Sequence, residues 1–160
     1  MVAYPQCAEA GAIVEELQAR GSTVVRVQGR SMYPYLRNQA RVVVEPVAYD
    51  ELRLGDLVVF TNGRSIYCHR LIKKAHHLCY VKGDTNLSAD PPIIWSFVLG
   101  RVTQVVRTEE NQIKLHSIDS PRHWRRAALL ARCSYIYALY YNLMHAIGRC
   151  RWWARGIEWD

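Results

Sequence analysis

The sequence predicts a mainly β domain, a folded-over or barrel-like sheet with a short helix before it and a long amphipathic helix after it. Two patterns carry that reading. From Thr23 to about residue 106, short β-branched or aromatic runs alternate with turn chemistry; after Ser120 the periodicity turns helical and the composition basic and aromatic. A chain of 160 residues that is 50% hydrophobic suffices for one domain with a sizeable core and is too short for two comfortable ones.

Residues 7–20 set Ile13, Val14 and Leu17 at helical spacing and stop before Gly21, which suits the position just past a helix C-terminus. The strand candidates are Val24 to Val27, Arg41 to Val44, Leu57 to Phe60, Tyr67 to Ile72, Leu78 to Lys82 and Val98 to Val106, with a last one over Ile113 to His116. Gly55-Asp56, Asn62-Gly63, Lys82-Gly83-Asp84 and Pro91-Pro92 separate them. Ser120-Pro121 reads as an N-cap followed by proline at the first helical position, opening a helix over roughly 122–147. Its Leu129, Cys133, Ile136, Tyr140, Leu143 and Ile147 recur in three- and four-residue steps, one apolar stripe. The chain therefore divides into residues 1–120 and a helical extension, 121–160.

The net charge of +7 is unevenly placed. Residues 121–155 hold Arg122, Arg125, Arg126, Arg132, Arg149, Arg151 and Arg155 and no acidic residue, whereas the first 120 residues are close to neutral. Five cysteines, an odd number without framework spacing, point to free thiols in a reducing compartment. The N-terminus lacks the basic, apolar and small-residue order of a secretory signal, so the expected location is cytoplasmic.

The chemistry is to be sought in the β region. A serine nucleophile needs a base, a group that orients the base, and donors for the oxyanion. Ser31 lies just after a strand in Gly29-Arg30-Ser31-Met32-Tyr33-Pro34, and by composition alone it is a turn serine, of which most are caps or solvated hydroxyls. His69 sits in an alternating strand, and imidazole, titrating near ~6.5 when free, is the side chain best matched to general-base work at neutral pH. Its commoner role in a strand is a satisfied ring. Asp84 and Asp90 flank the loop Lys82 to Asp90, where either can orient an imidazole or close an Asx-turn.

The order Gly29-x-Ser31-Met32-x-Pro34, Gly55-Asp56-x-Val58-x-Phe60, His69-Arg70, Lys82-Gly83-Asp84-x-Asn86, Asp90 and Leu99-Gly100-Arg101-Val102 resembles the type I signal peptidase family over roughly residues 23–106. Within that superfamily the bacterial signal peptidases and the LexA-like self-cleaving proteins use a lysine base. The endoplasmic-reticulum and archaeal type carries a histidine before arginine, as here. The resemblance implies the signal peptidase/LexA-like fold, a serine endopeptidase acting on a leader or signal-like peptide with small side chains before the cut, and no cofactor or metal. It implies Ser31 as nucleophile, His69 as base, Asp90 as orienting carboxylate and Asp84 as its support. Gly29, Met32 and Pro34 are the implied substrate or oxyanion positions, the Ser31 N–H being one donor and the second either another backbone N–H or a group that the sequence does not identify.

Two departures accompany the resemblance. Arg37-Asn38-Gln39-Ala40 stands where relatives carry Gly-Asp, and no N-terminal membrane anchor is expected. The C-terminal stripe is interrupted by Arg132, Asn142 and His145, which disfavours a spanning helix. It packs on its own domain or a partner, or it lies at a membrane surface, where flanking arginines with Trp124, Trp152, Trp153 and the tyrosine cluster would suit a headgroup boundary.

Three rival functions compete. The basic, aromatic tail could bind nucleic acid, but no recognised nucleic-acid motif accompanies the charge. Cys68, His69, His76, His77 and Cys79 lack the paired spacing of zinc sites. A LexA- or UmuD-like peptidase that cleaves itself or a cytoplasmic regulator would share the fold, though it would carry a lysine base.

Overall fold

The computed structural model describes residues 8–109, 112–118 and 120–153, the side chains of residues 108, 109, 112 and 147–153 excepted. Helix α1 spans Ala8–Arg20 and buries Ala10 and Leu17; Cys7, expected in it, lies outside the described residues. Gly21 closes the helix with φ +71°, its N–H donating to the Leu17 carbonyl.

Eight antiparallel strands follow: β1 (Thr23–Val27), β2 (Ala40–Glu45), β3 (Leu57–Thr61), β4 (Ile66–Ala75), β5 (Leu78–Lys82), β6 (Ile93–Ile94), β7 (Val98–Glu109) and β8 (Gln112–Ser117). They form one sheet in the order β1-β2-β7-β3-β4-β5-β6, with β8 added to β7. The short β6 and the 3₁₀ turn Trp95–Phe97 have no counterpart in the sequence pattern.

Every residue of β3 is buried, with Leu57 and Val59 in one core cluster and Val58 and Phe60 in the other. A strand buried on both faces requires the sheet to fold over itself. Register shifts at Val43/Val44, Val59/Phe60 and Leu71/Lys73 supply the bends. Among the described residues β1 pairs with β2 alone and is an edge strand, directly ahead of the loop that carries Ser31.

The C-terminal segment differs from the sequence expectation in two ways. The single helix is two, α2 (Pro121–Arg132) and α3 (Ser134–Trp153), joined at Cys133. The Ser120 hydroxyl caps α2 by accepting from the His123 N–H. The joint lets both helices dock: the Ala127 backbone lies against Gly55, and the Ser134 carbonyl accepts from the buried Lys82 ammonium at 3.0 Å.

Second, the apolar stripe faces outward. Cys133, Leu129, Ile136, Tyr140 and Leu143 are exposed, and the face turned to the sheet is Ala131, Ser134 and Ala138; the Ile147 side chain lies outside the described residues. Helices that approach loop backbone this closely admit only small side chains on the contact face.

A Cβ on Gly55 would stand 2.4 Å from the Ala127 carbonyl carbon, at a φ of +98°. Gly55→Ala is therefore expected to destabilise the protein by roughly 2–3 kcal/mol, read as a lower urea midpoint at unchanged m-value.

Candidate active site

Strand β4 places Cys68, His69 and Arg70 in succession, and alternation sends each to a different environment. Cys68 enters the core cluster shared with Val59, and burial pushes its thiol up to about 12. His69, nine-tenths buried, turns the other way. Its Nδ1–H donates to Asp90 Oδ2 at 2.5 Å, leaving Nε2 as the acceptor that faces Ser31 Oγ at 3.0 Å. Phe60 and Tyr67 pack beside the imidazole and limit its orientation.

Arg70 is fully buried, its Nε and Nη2 donating to the two carboxylate oxygens of Asp84 at 2.8 and 2.7 Å. Its Nη1 donates to the Gly55 carbonyl, and its guanidinium lies over the Tyr35 ring. Asp84 is thus the counter-ion of Arg70, and the orienting contact to His69 comes from Asp90. The loop between the aspartates is fixed at both ends, with the Asp90 N–H donating to the Val81 carbonyl.

Ser31 opens a helical turn in which the Tyr33 N–H donates to Arg30 and the Leu36 N–H to Met32. Its carbonyl accepts the Thr85 N–H at 2.9 Å, which locks the serine loop to the aspartate loop. A Cβ on Gly83 would reach within 2.8 Å of Ser31 Cβ, so only glycine permits this approach.

Three of the expected substrate or oxyanion positions stand elsewhere. The Gly29 N–H, at φ +92°, donates to Asn38 Oδ1 at 2.8 Å and is unavailable as an oxyanion donor. Met32 is buried in the core, where it anchors the loop beneath Ser31. Pro34 follows a cis peptide bond and lines a separate cavity with Tyr35 and His123, on the side of the C-terminal helices. The Ser31 N–H, engaged by no described residue, remains as a donor beside its own hydroxyl.

The contact made by Asn38, named in the sequence only as part of a departure from the family pattern, has no signal there, because an asparagine in a polar turn carries no distinctive pattern. The same holds for the C-terminal residues that reach the site: Tyr137 donates its hydroxyl to the Tyr33 carbonyl, and Asn142 Nδ2 donates to the Thr85 carbonyl at 2.9 Å. Burial raises the Tyr137 phenol above its usual range, which keeps it a neutral donor.

None of the nearby lysines contacts Ser31. Lys74 donates to the Tyr49 and Asp50 carbonyls, Lys73 lies over Tyr80, and Lys82 donates to the Gly83 and Ser134 carbonyls. Desolvation lowers the Lys82 ammonium from its usual range, against the pull of Asp84 and Asp90. Cys68 and Cys79 belong to different core clusters, and no group of three metal-ligating side chains converges among the described residues.

Ser31 and His69 open onto a cleft of about 990 Å³ walled by α1, β1 and the Arg64–Tyr67 segment. The arrangement lets Ser31 Oγ pass its proton to His69 Nε2 while Asp90 holds the imidazole and stabilises its cationic form.

Asp84→Asn leaves the Arg70 charge buried without its counter-ion, and a loss of about 3–5 kcal/mol is expected in chemical denaturation. The Cys68 thiol gives a pH signature. Because its pKa is raised on folding, the stability it contributes is complete below about pH 9 and declines as the pH rises toward about 12. Between about pH 9 and 10.5, Cys68→Ala is expected to lose about 2 kcal/mol less stability than wild type.

Residues 8–81, just under half of the chain, match the family model described as Peptidase S24-like. No curated protein and no solved structure matches significantly. The matched segment runs from α1 into β5 and contains both Ser31 and His69. Together with the folded-over β architecture, the match supports a serine peptidase-like domain of the signal peptidase/LexA-like superfamily.

Proposed function

We propose that the protein is a signal peptidase-like serine endopeptidase that removes a leader or signal-like peptide, with Ser31 as nucleophile, His69 as base and Asp90 as orienting group. The observation that carries this reading is the continuous relay from Asp90 Oδ2 through His69 to Ser31 Oγ, at 2.5 and 3.0 Å, at the wall of an open cleft.

In the forward step Ser31 Oγ attacks the scissile carbonyl as its proton moves to His69 Nε2, and the Ser31 N–H donates to the oxyanion. The imidazolium then protonates the leaving amine, and water hydrolyses the acyl-enzyme by the reverse transfer. An extended substrate suits the cleft: among the described residues β1 has an unpaired edge along its wall, where a peptide can add as a strand and present its carbonyl to Ser31.

The test compares wild type with Ser31→Ala, His69→Ala and Asp90→Ala on leader peptides ending in small side chains. Ser31→Ala and His69→Ala are expected to lose roughly 10³-fold or more in kcat/KM, and Asp90→Ala on the order of 10²- to 10⁴-fold. Cleavage by Ser31→Ala at the wild-type rate would refute the proposal.

A second reading, self-cleavage in the LexA-like manner, is favoured by the S24-like description of the matched family. It predicts that the intact mass of wild type, but not of Ser31→Ala, gives way to two fragments at a rate independent of protein concentration.

A further inference from the structure

The outward face of α3 bears Ile136, Leu139, Tyr140 and Leu143 at 73%, 64%, 60% and 56% exposure. Their three- and four-residue spacing makes one contiguous stripe, of a kind that folded proteins seldom leave to water without a partner. No helix among the described residues is long and apolar enough to cross a membrane.

The charge that precedes the stripe in the chain indicates what covers it. Arg122, Arg125 and Arg126 are exposed on α2, as is Trp124, and residues 121–155 contain no acidic side chain. A second copy docking through this face would bring two uncompensated basic segments together, at a Coulombic cost. An anionic bilayer surface meets both halves of the feature: acyl chains take up the aliphatic side chains, phosphates pair with the guanidiniums, and tyrosine and tryptophan rings suit the headgroup boundary.

We propose that the outer face of α2 and α3 is an interfacial membrane-binding surface that lays the protein on anionic phospholipid. The inner face of α3 holds the Ser31 and Asp84 loops through Tyr137, Asn142 and the Lys82–Ser134 bond. A membrane-bound α3 therefore fixes the cleft at a set height and orientation above the lipid, where a peptide emerging from the bilayer reaches it. The lipid contact itself does not depend on the peptidase reading.

Flotation of the full chain with phosphatidylcholine vesicles, with and without about one third phosphatidylglycerol, tests the proposal. Wild type is expected to float with the anionic vesicles, to be displaced by rising salt, and to bind pure phosphatidylcholine about tenfold or more weakly. The triple variant Ile136→Ser, Leu139→Ser, Leu143→Ser is expected to lose flotation about tenfold or more while retaining wild-type circular dichroism. Arg122→Gln, Arg125→Gln, Arg126→Gln is expected to lose the anionic preference. Wild type that stays with the soluble fraction, or a triple serine variant that floats undiminished, overturns the proposal. So does a wild-type dimer in sedimentation that the triple serine variant converts to monomer without any lipid binding, which assigns the face to a second copy.

Discussion

The buried ion pair between Arg70 and Asp84 is the constraint on which the site rests. Taking a guanidinium and a carboxylate out of water is costly, and such a pair is retained with advantage only where every donor and acceptor is satisfied. Here both carboxylate oxygens and three guanidinium nitrogens are engaged. Arg70 follows His69 on β4, and Asp84 lies in the loop that ends at Asp90, so one interaction sets the distance between His69 and Asp90. The Arg70 bond to the Gly55 carbonyl extends the same lock to the turn on which α2 packs.

The serine is held by a second set of contacts. Thr85 clasps the Ser31 and Arg30 carbonyls, Gly83 admits the Ser31 Cβ, and Asn38 ties down the Gly29 N–H. Tyr137 and Asn142 of α3 then bond the backbones of the two loops from outside. A loop serine and a strand histidine 38 residues apart reach 3.0 Å because two loops and a helix are stapled together, each bond modest and the set mutually reinforcing.

Much of this was legible in the sequence because it depends on local rules. Short β-branched or aromatic runs separated by turn residues located the long strands, Gly21 and the Ser120-Pro121 pair marked helix ends, and the ordered motifs singled out Ser31, His69 and Asp90. What was illegible depends on partners distant in the chain. Periodicity identified the Leu129–Leu143 stripe, but a stripe does not say which face packs, and close approach to loop backbone selected Ala131, Ser134 and Ala138 instead. Met32 reads as a motif residue until its burial places it in the core, and Gly29 reads as an oxyanion position until Asn38 takes its N–H. The family resemblance set Asp90 apart from Asp84, but the partner of Asp84, Arg70, is a contact that only the fold reveals.

In the proposed mechanism His69 makes Ser31 nucleophilic. Peptide mapping by mass spectrometry after exposure to a fluorophosphonate, which phosphonylates an activated serine Oγ with loss of fluoride, tests that claim without knowledge of the substrate. A single adduct on Ser31 is expected in wild type, and its disappearance in His69→Ala. An unmodified Ser31 in wild type, or equal labelling of Ser31 in His69→Ala, would contradict it.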